Sequence, residues 1–271
     1  MKVEARSIVS GHARLAAWES GTGPLVVFLH AGVADRRMWS AQLESLAGTY
    51  RCIAYDRRGF GETQHVDEDY SQIDDLLAVI RAGGGGPAIL VGCSQGGRIA
   101  LDAALLHPDQ VKAIILIAPA ISGAPPPEYP TAIAAIMSRL DEAETAGDLD
   151  LANDLEAHLW LDGPGSEYGR VTGSARILFM EMNGIALRAE NLGQSIEPLS
   201  SSYPRLSEIG VPTLIVWGDL DFPHIQARCD HITNLIPQGR SELINGVAHL
   251  PSLEAPEVVT EIIRRFLQAV A

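Results

Sequence analysis

The stretch Ala88-Ile89-Leu90-Val91-Gly92-Cys93-Ser94-Gln95-Gly96-Gly97 constrains this chain more than any other. A run of apolar strand formers ends in Gly-x-Ser-x-Gly, and an alanine- and leucine-rich helical pattern begins directly after it. That order describes a nucleophile elbow, a tight strand-to-helix turn that holds the Ser94 hydroxyl at the end of a buried strand. The backbone of a serine in such a turn is strained, so its flanks must be small. Gly92 and Gly96 meet that demand, and Gly97 lets the helix lie close to its strand.

The rest of the chain supplies a setting for the elbow. Residues 3–9 and 12–18 read as antiparallel strands joined near Ser10-Gly11. Leu25 to Leu29 is a buried strand, Trp39 to Leu46 a helix, Arg51 to Tyr55 a strand and Ser71 to Arg81 a helix. The glycine run Gly83 to Gly86 with Pro87 ends that helix and leads into the elbow strand. His107-Pro108 stops the elbow helix, and Lys112 to Ala118 is an isoleucine-rich strand. The region that follows is different: it opens with Pro125-Pro126-Pro127 and holds helical stretches over 130–161 and 174–193, with no convincing strand. Strand character returns over 212–217, then a helix over 224–236, a short strand over 241–244 and a closing helix over 256–270. Such alternation predicts an α/β fold, a mostly parallel sheet with helices on both faces and right-handed crossovers. The expected division is a core of residues 1–121 and 206–271, with residues 122–205 inserted after the sixth strand as a helical cap. A cap there lies over the sheet edge where open α/β sheets bind ligands.

Composition narrows the partners. With 34 acidic against 20 basic side chains the formal charge is −14, which disfavours nucleic acid and anionic membrane surfaces. Cys52, Cys93 and Cys229 are too few and too scattered for a disulfide framework or a Cys/His metal site, so no metal is expected. The first residues, Met1 to Arg6, alternate polar and apolar and lack a signal-peptide core, and no apolar run is long enough to span a bilayer. The expectation is a cytoplasmic protein acting on a small molecule, of open oligomeric state.

A serine hydroxyl is a weak nucleophile and needs an oriented base. Among eight histidines, His249 stands in Gly246-Val247-Ala248-His249-Leu250-Pro251, a loop after the last strand and before the last helix. That puts it at the same sheet edge as Ser94. His12, His65, His107, His158, His224 and His231 fall where a surface role is expected, and His30 where it braces a loop. The base needs a carboxylate to fix its tautomer. Gly218-Asp219-Leu220-Asp221 supplies two, and Asp221 is preferred, since Asp219 is placed to cap the turn. A tetrahedral intermediate also needs backbone N–H donors. One is the amide of Gln95 at the start of the elbow helix; the other is expected from the loop after the third strand, with Gly32 preferred and Ala31 the alternative.

Together these residues resemble the α/β-hydrolase superfamily, in particular its cap-bearing esterase, lactonase and cofactor-free peroxidase branch. The resemblance rests on Leu29-His30-Ala31-Gly32, Tyr55-Asp56-Arg57-Arg58-Gly59-Phe60-Gly61, Gly92 to Gly97, Gly218 to Asp221 and His249 to Pro256. It implies Ser94 as nucleophile, Asp221 as acid and His249 as base, makes the Asp56–Gly61 segment a structural turn, and implies no cofactor. Two departures are His30-Ala31-Gly32, where His-Gly is more usual, and Cys93 before the serine, read as a packing residue. Serine at the elbow argues against dehalogenase and epoxide-hydrolase chemistry, which use aspartate there. The expected activity is hydrolysis of small carboxylic esters or lactones through an acyl-enzyme. The alternatives are a carbon–carbon bond hydrolase, a cofactor-free peroxidase, or a slow-turnover ligand receptor. Apolar cap residues, Trp160, Phe179 and Met182 foremost, are candidates for an acyl pocket. Arg36 and Arg37 are either solvated or placed to attract a substrate carboxylate.

Overall fold

The computed structural model describes residues 2–190 and 193–270. Strands β1 (Glu4–Ser10) and β2 (Ala13–Ser20) form an antiparallel pair, and β2 lies antiparallel against β4 (Arg51–Tyr55). From there β3 (Leu25–Leu29), β5 (Ala88–Cys93), β6 (Val111–Ile117), β7 (Thr213–Gly218) and β8 (Gly239–Ile244) are all parallel. The resulting eight-stranded order is β1-β2-β4-β3-β5-β6-β7-β8. β3, β5 and β7 are buried along their whole length, as parallel strands covered on both faces must be.

Alternation along each strand divides the core in two. Val27, Leu29, Leu90, Leu116 and Ile215 pack on one face with α2 (Gln72–Ala82), α3 (Gln95–Leu106) and α7 (Pro223–Leu235). Val26, Phe28, Val91, Ile115 and Val216 pack on the other with α1 (Ser40–Leu46) and α9 (Pro256–Val270). The closing helix shows why it docks: Val259, Ile262, Ile263, Phe266 and Leu267 recur at helical spacing and are all buried.

Between β6 and β7 lie α4 (Thr131–Ala146), α5 (Leu149–Glu156), a π-helical turn over Ala157–Asp162, and α6 (Gly173–Leu187). The single helix expected over 130–161 is therefore broken. Gly147 adopts φ 71°, its N–H and that of Asp148 cap the carbonyls of Glu144 and Ala143, and the Asp148 carboxylate accepts from Leu151 N to start α5. Ala-Gly-Asp carried that stop and restart in the sequence.

Because β3, β5, β7 and β8 run parallel, their C-terminal ends share one rim. The loops that leave them carry His30 to Val33, Ser94, Asp219 to Asp221 and His249 respectively.

Candidate active site

Ser94 ends β5 with φ 51° and ψ −114°, a conformation that L-residues rarely hold. Packing fixes it there. Ser94 N donates to Ile117 O at 2.9 Å, and its carbonyl accepts from Arg98 N at 3.1 Å and Ala120 N at 3.0 Å. The glycines around it are required by close approach: a Cβ on Gly92 would run into the Gly96 carbonyl, and one on Gly96 into the Leu29 carbonyl. The strain is thus local, and central strands on either side hold it.

Asp221 and His249 meet across the β7 and β8 ends. His249 Nδ1 lies 2.8 Å from Asp221 Oδ2, both residues buried. Asp221 Oδ1 accepts from Phe222 N at 2.7 Å, so both carboxylate oxygens are engaged. A carboxylate only accepts, so Nδ1 carries the proton and the Nε2 lone pair is free. Asp219 does other work: its Oδ1 accepts from Gly246 N at 2.6 Å and ties the two loops together. The histidine loop is clamped again from the segment that leads into α6. Arg170 donates to Leu161 O at 2.9 Å and Gly246 O at 3.1 Å and pairs with Glu254, whose other oxygen accepts from Ala248 N at 2.8 Å.

Ser94, Gln95, His249, Gly32, Trp160 and Glu156 line one cavity of about 300 Å³, completed by Val33 and Ala120. That volume is at the low end for small-molecule sites. Trp160 packs its ring 4.7 Å from the His249 imidazole and 4.7 Å from Phe222.

Of the two expected loop donors, Ala31 N is directed at Met38 Sδ, 3.5 Å away, while Gly32 borders the cavity. A Cβ at Gly32 would press on the Gln95 amide at 2.9 Å. His30 is buried beneath this loop. Its Nε2 accepts from Arg57 N at 3.0 Å, so Nδ1 is the protonated nitrogen and donates to Ala31 O at 2.7 Å. Burial, then the neighbouring Arg57 guanidinium, hold its pKa well below the ordinary histidine value. Arg57 reaches on to Gln95 Oε1 at 2.9 Å, which braces the elbow helix against the same loop.

Several expectations need correction. Arg36 is neither solvated nor available to a substrate: it is buried, ion-paired with Asp56 and Glu62, and lies over the Trp18 ring. Arg37 is committed to Asp35 and Glu181. Phe179 and Met182 are fully buried where α6 packs onto the sheet's core and do not border the cavity; Met182 Sδ instead faces Asp35 N. His224 is half-buried, packing on Phe222 and Tyr129, and burial brings its pKa down to about 4. The Asp56 turn is built by Asp56 Oδ1 and Oδ2 accepting from Arg36 N and Glu62 N, each at 2.8 Å. Gly61, at φ 52°, leaves room for that carboxylate. Cys93 packs, its Sγ 3.6 Å from His249 O and its thiol pushed well up by burial. The residue that the sequence did not single out is Glu156, a half-buried carboxyl on the cavity wall.

A fold of this topology with a serine elbow and a histidine–aspartate pair at one rim defines an α/β hydrolase. The profile of the Alpha/beta hydrolase family matches residues 26–262, and the chain belongs to that family. It is 28% identical to the 2-(acetamidomethylene)succinate hydrolase of Mesorhizobium japonicum, across 97% of this chain and 95% of that protein. It is 26% identical to the pimeloyl-(acyl-carrier protein) methyl ester esterase of Aeromonas hydrophila, across 91% and 96%. Among solved structures, a thermophilic esterase from Thermogutta terrifontis superposes with a TM-score of 0.78 at 26% identity, covering 98% of this chain and 99% of that one. Among the described residues no helix is long and apolar enough to cross a membrane.

Proposed function

We propose that this chain is a serine hydrolase that cleaves small carboxylic esters or lactones through an acyl-enzyme. The observation that carries the reading is the buried Asp221–His249 hydrogen bond, whose imidazole borders the same cavity as Ser94. In this mechanism Ser94 Oγ attacks the substrate carbonyl and His249 Nε2 takes its proton, while Asp221 holds the ring and offsets the charge of the imidazolium. The oxyanion takes hydrogen bonds from the N–H groups of Gln95, at the positive end of α3, and Gly32. Collapse expels the alcohol, protonated by His249; a water deprotonated at the same nitrogen then releases the acid. The esterase relatives support ester cleavage, and the small cavity supports a short acyl group.

The test is pre-steady-state hydrolysis of p-nitrophenyl acetate together with labelling by a fluorophosphonate. The expected result is a p-nitrophenol burst equal to the enzyme concentration and a phosphonyl adduct on Ser94, both lost in Ser94→Ala. Undiminished turnover in that variant removes Ser94 from the reaction.

A further inference from the structure

We infer that Glu156 sets substrate charge at this site: the cavity admits esters with an uncharged acyl group and turns away those carrying a second, ionised carboxylate. The inference rests on the serine-hydrolase reading above.

Glu156 is the last residue of α5, and its carboxyl belongs to the cavity that Ser94 and His249 border. Its surroundings orient it. Oε2 accepts from Asn183 Nδ2 at 2.5 Å; Asn183 also donates to Asn153 Oδ1 at 3.0 Å, and Asn153 donates to Met180 O at 2.9 Å. This relay ties the carboxyl to α6. Among the described residues, no cation lies within ion-pair distance of it and nothing donates to Oε1. Burial pushes its pKa up, Asn183 works against that, and Glu144 on α4 adds to it.

The basic side chains nearest the site are spent elsewhere. No lysine or arginine borders the cavity. Arg57 is committed to Gln95 Oε1 and Ala31 O, with its guanidinium over the Phe60 ring. Arg36 and Arg37 are held in the ion pairs described above. A substrate carboxylate entering this space would lose its water, meet the Glu156 charge, and find no countercharge. An uncharged acyl chain meets Trp160, Val33 and Ala120 and incurs no such cost.

The test compares methyl pentanoate with monomethyl glutarate, two methyl esters of similar length that differ by one carboxylate. Hydrolysis is followed by pH-stat at pH 8 for the wild type and for Glu156→Gln, whose amide oxygen can still accept from Asn183. For the wild type kcat/KM is expected to be at least ~10-fold higher on the uncharged ester, the scale of one charge repulsion across a partly wet pocket. Glu156→Gln should narrow that ratio to within ~3-fold through a lower KM for the glutarate ester. A structural role alone would move both esters together. Equal turnover of the two esters by a wild-type chain that labels at Ser94 overturns the selectivity and leaves the hydrolase reading intact. So does an unchanged ratio in Glu156→Gln. Failure to label at Ser94 removes the hydrolase reading and the selectivity with it.

Discussion

Replacing Asp221 by asparagine tests the proposed mechanism at its most specific point, because the structure fixes which way the new amide must face. Oδ1 of Asp221 accepts from Phe222 N at 2.7 Å. Asparagine keeps that bond only by placing its carbonyl oxygen there, which puts its NH2 where Oδ2 now meets His249 Nδ1. Two donors then oppose each other. The imidazole resolves the clash by moving its proton to Nε2, and the base that Ser94 needs is gone. Binding should be spared, since Asp221 does not border the cavity. A wrong tautomer with intact geometry costs about 10⁴-fold in kcat, equivalent to about 5.5 kcal/mol of transition-state stabilisation, with KM nearly unchanged. The companion change Asp219→Asn can keep its bond from Gly246 N through the amide oxygen. It should alter kcat by less than about 3-fold and stability by no more than about 1 kcal/mol. The assay is steady-state and burst hydrolysis of p-nitrophenyl acetate, with thermal unfolding of both variants to show that each is folded. Activity of Asp221→Asn within tenfold of the wild type, or a larger loss in Asp219→Asn, would refute the tautomer argument.

Two further predictions concern stability. Ser94→Gly and Ser94→Ala both remove the hydroxyl, but only glycine relieves the backbone at φ 51°; it should unfold at higher urea, by about 1 kcal/mol after its entropy cost is subtracted. Equal midpoints would show that the elbow is not strained. His30, neutral in the folded chain, takes up a proton in the unfolded chain near the ordinary value of 6.5. The unfolded state then binds more protons, so this contribution is intact above pH 6.5 and falls as acid is added, by at most about 1.4 kcal/mol per pH unit. Urea unfolding of the wild type and of His30→Asn between pH 7 and 5.5 should show a steeper loss in the wild type, and parallel slopes would exclude it.

What could be read in the chain, and what could not, follows how far apart the interacting groups lie. The elbow is local: its strand, its glycines and its helix occupy ten consecutive residues, Ala88 to Gly97, and each constrains the next. The central strands β3, β5, β6 and β7 were legible for the same reason, as apolar runs. The choice between Asp219 and Asp221 was not local, because it depends on the register of β7 against β8, which pairs Gly218 with Ile244 and sets which carboxylate reaches position 249 and which reaches Gly246. Arg36 and Arg37 misled for a related reason. The partners Asp56, Glu62 and Glu181 are remote in sequence, so the pair looked free when the fold had already engaged it, although Asp35, which also holds Arg37, lies only two residues away. Glu156 was hidden by phase. Within one unbroken helix over 130–161 it falls among Asp148, Asp150 and Asp154 and looks like part of a solvated acidic face. The turn at Gly147-Asp148 restarts the helix, and contacts from Asn153 and Asn183 then set α5 against α6 so that this one carboxyl faces inward. A two-residue break decides which acid of that acidic stretch lines the cavity beside Ser94.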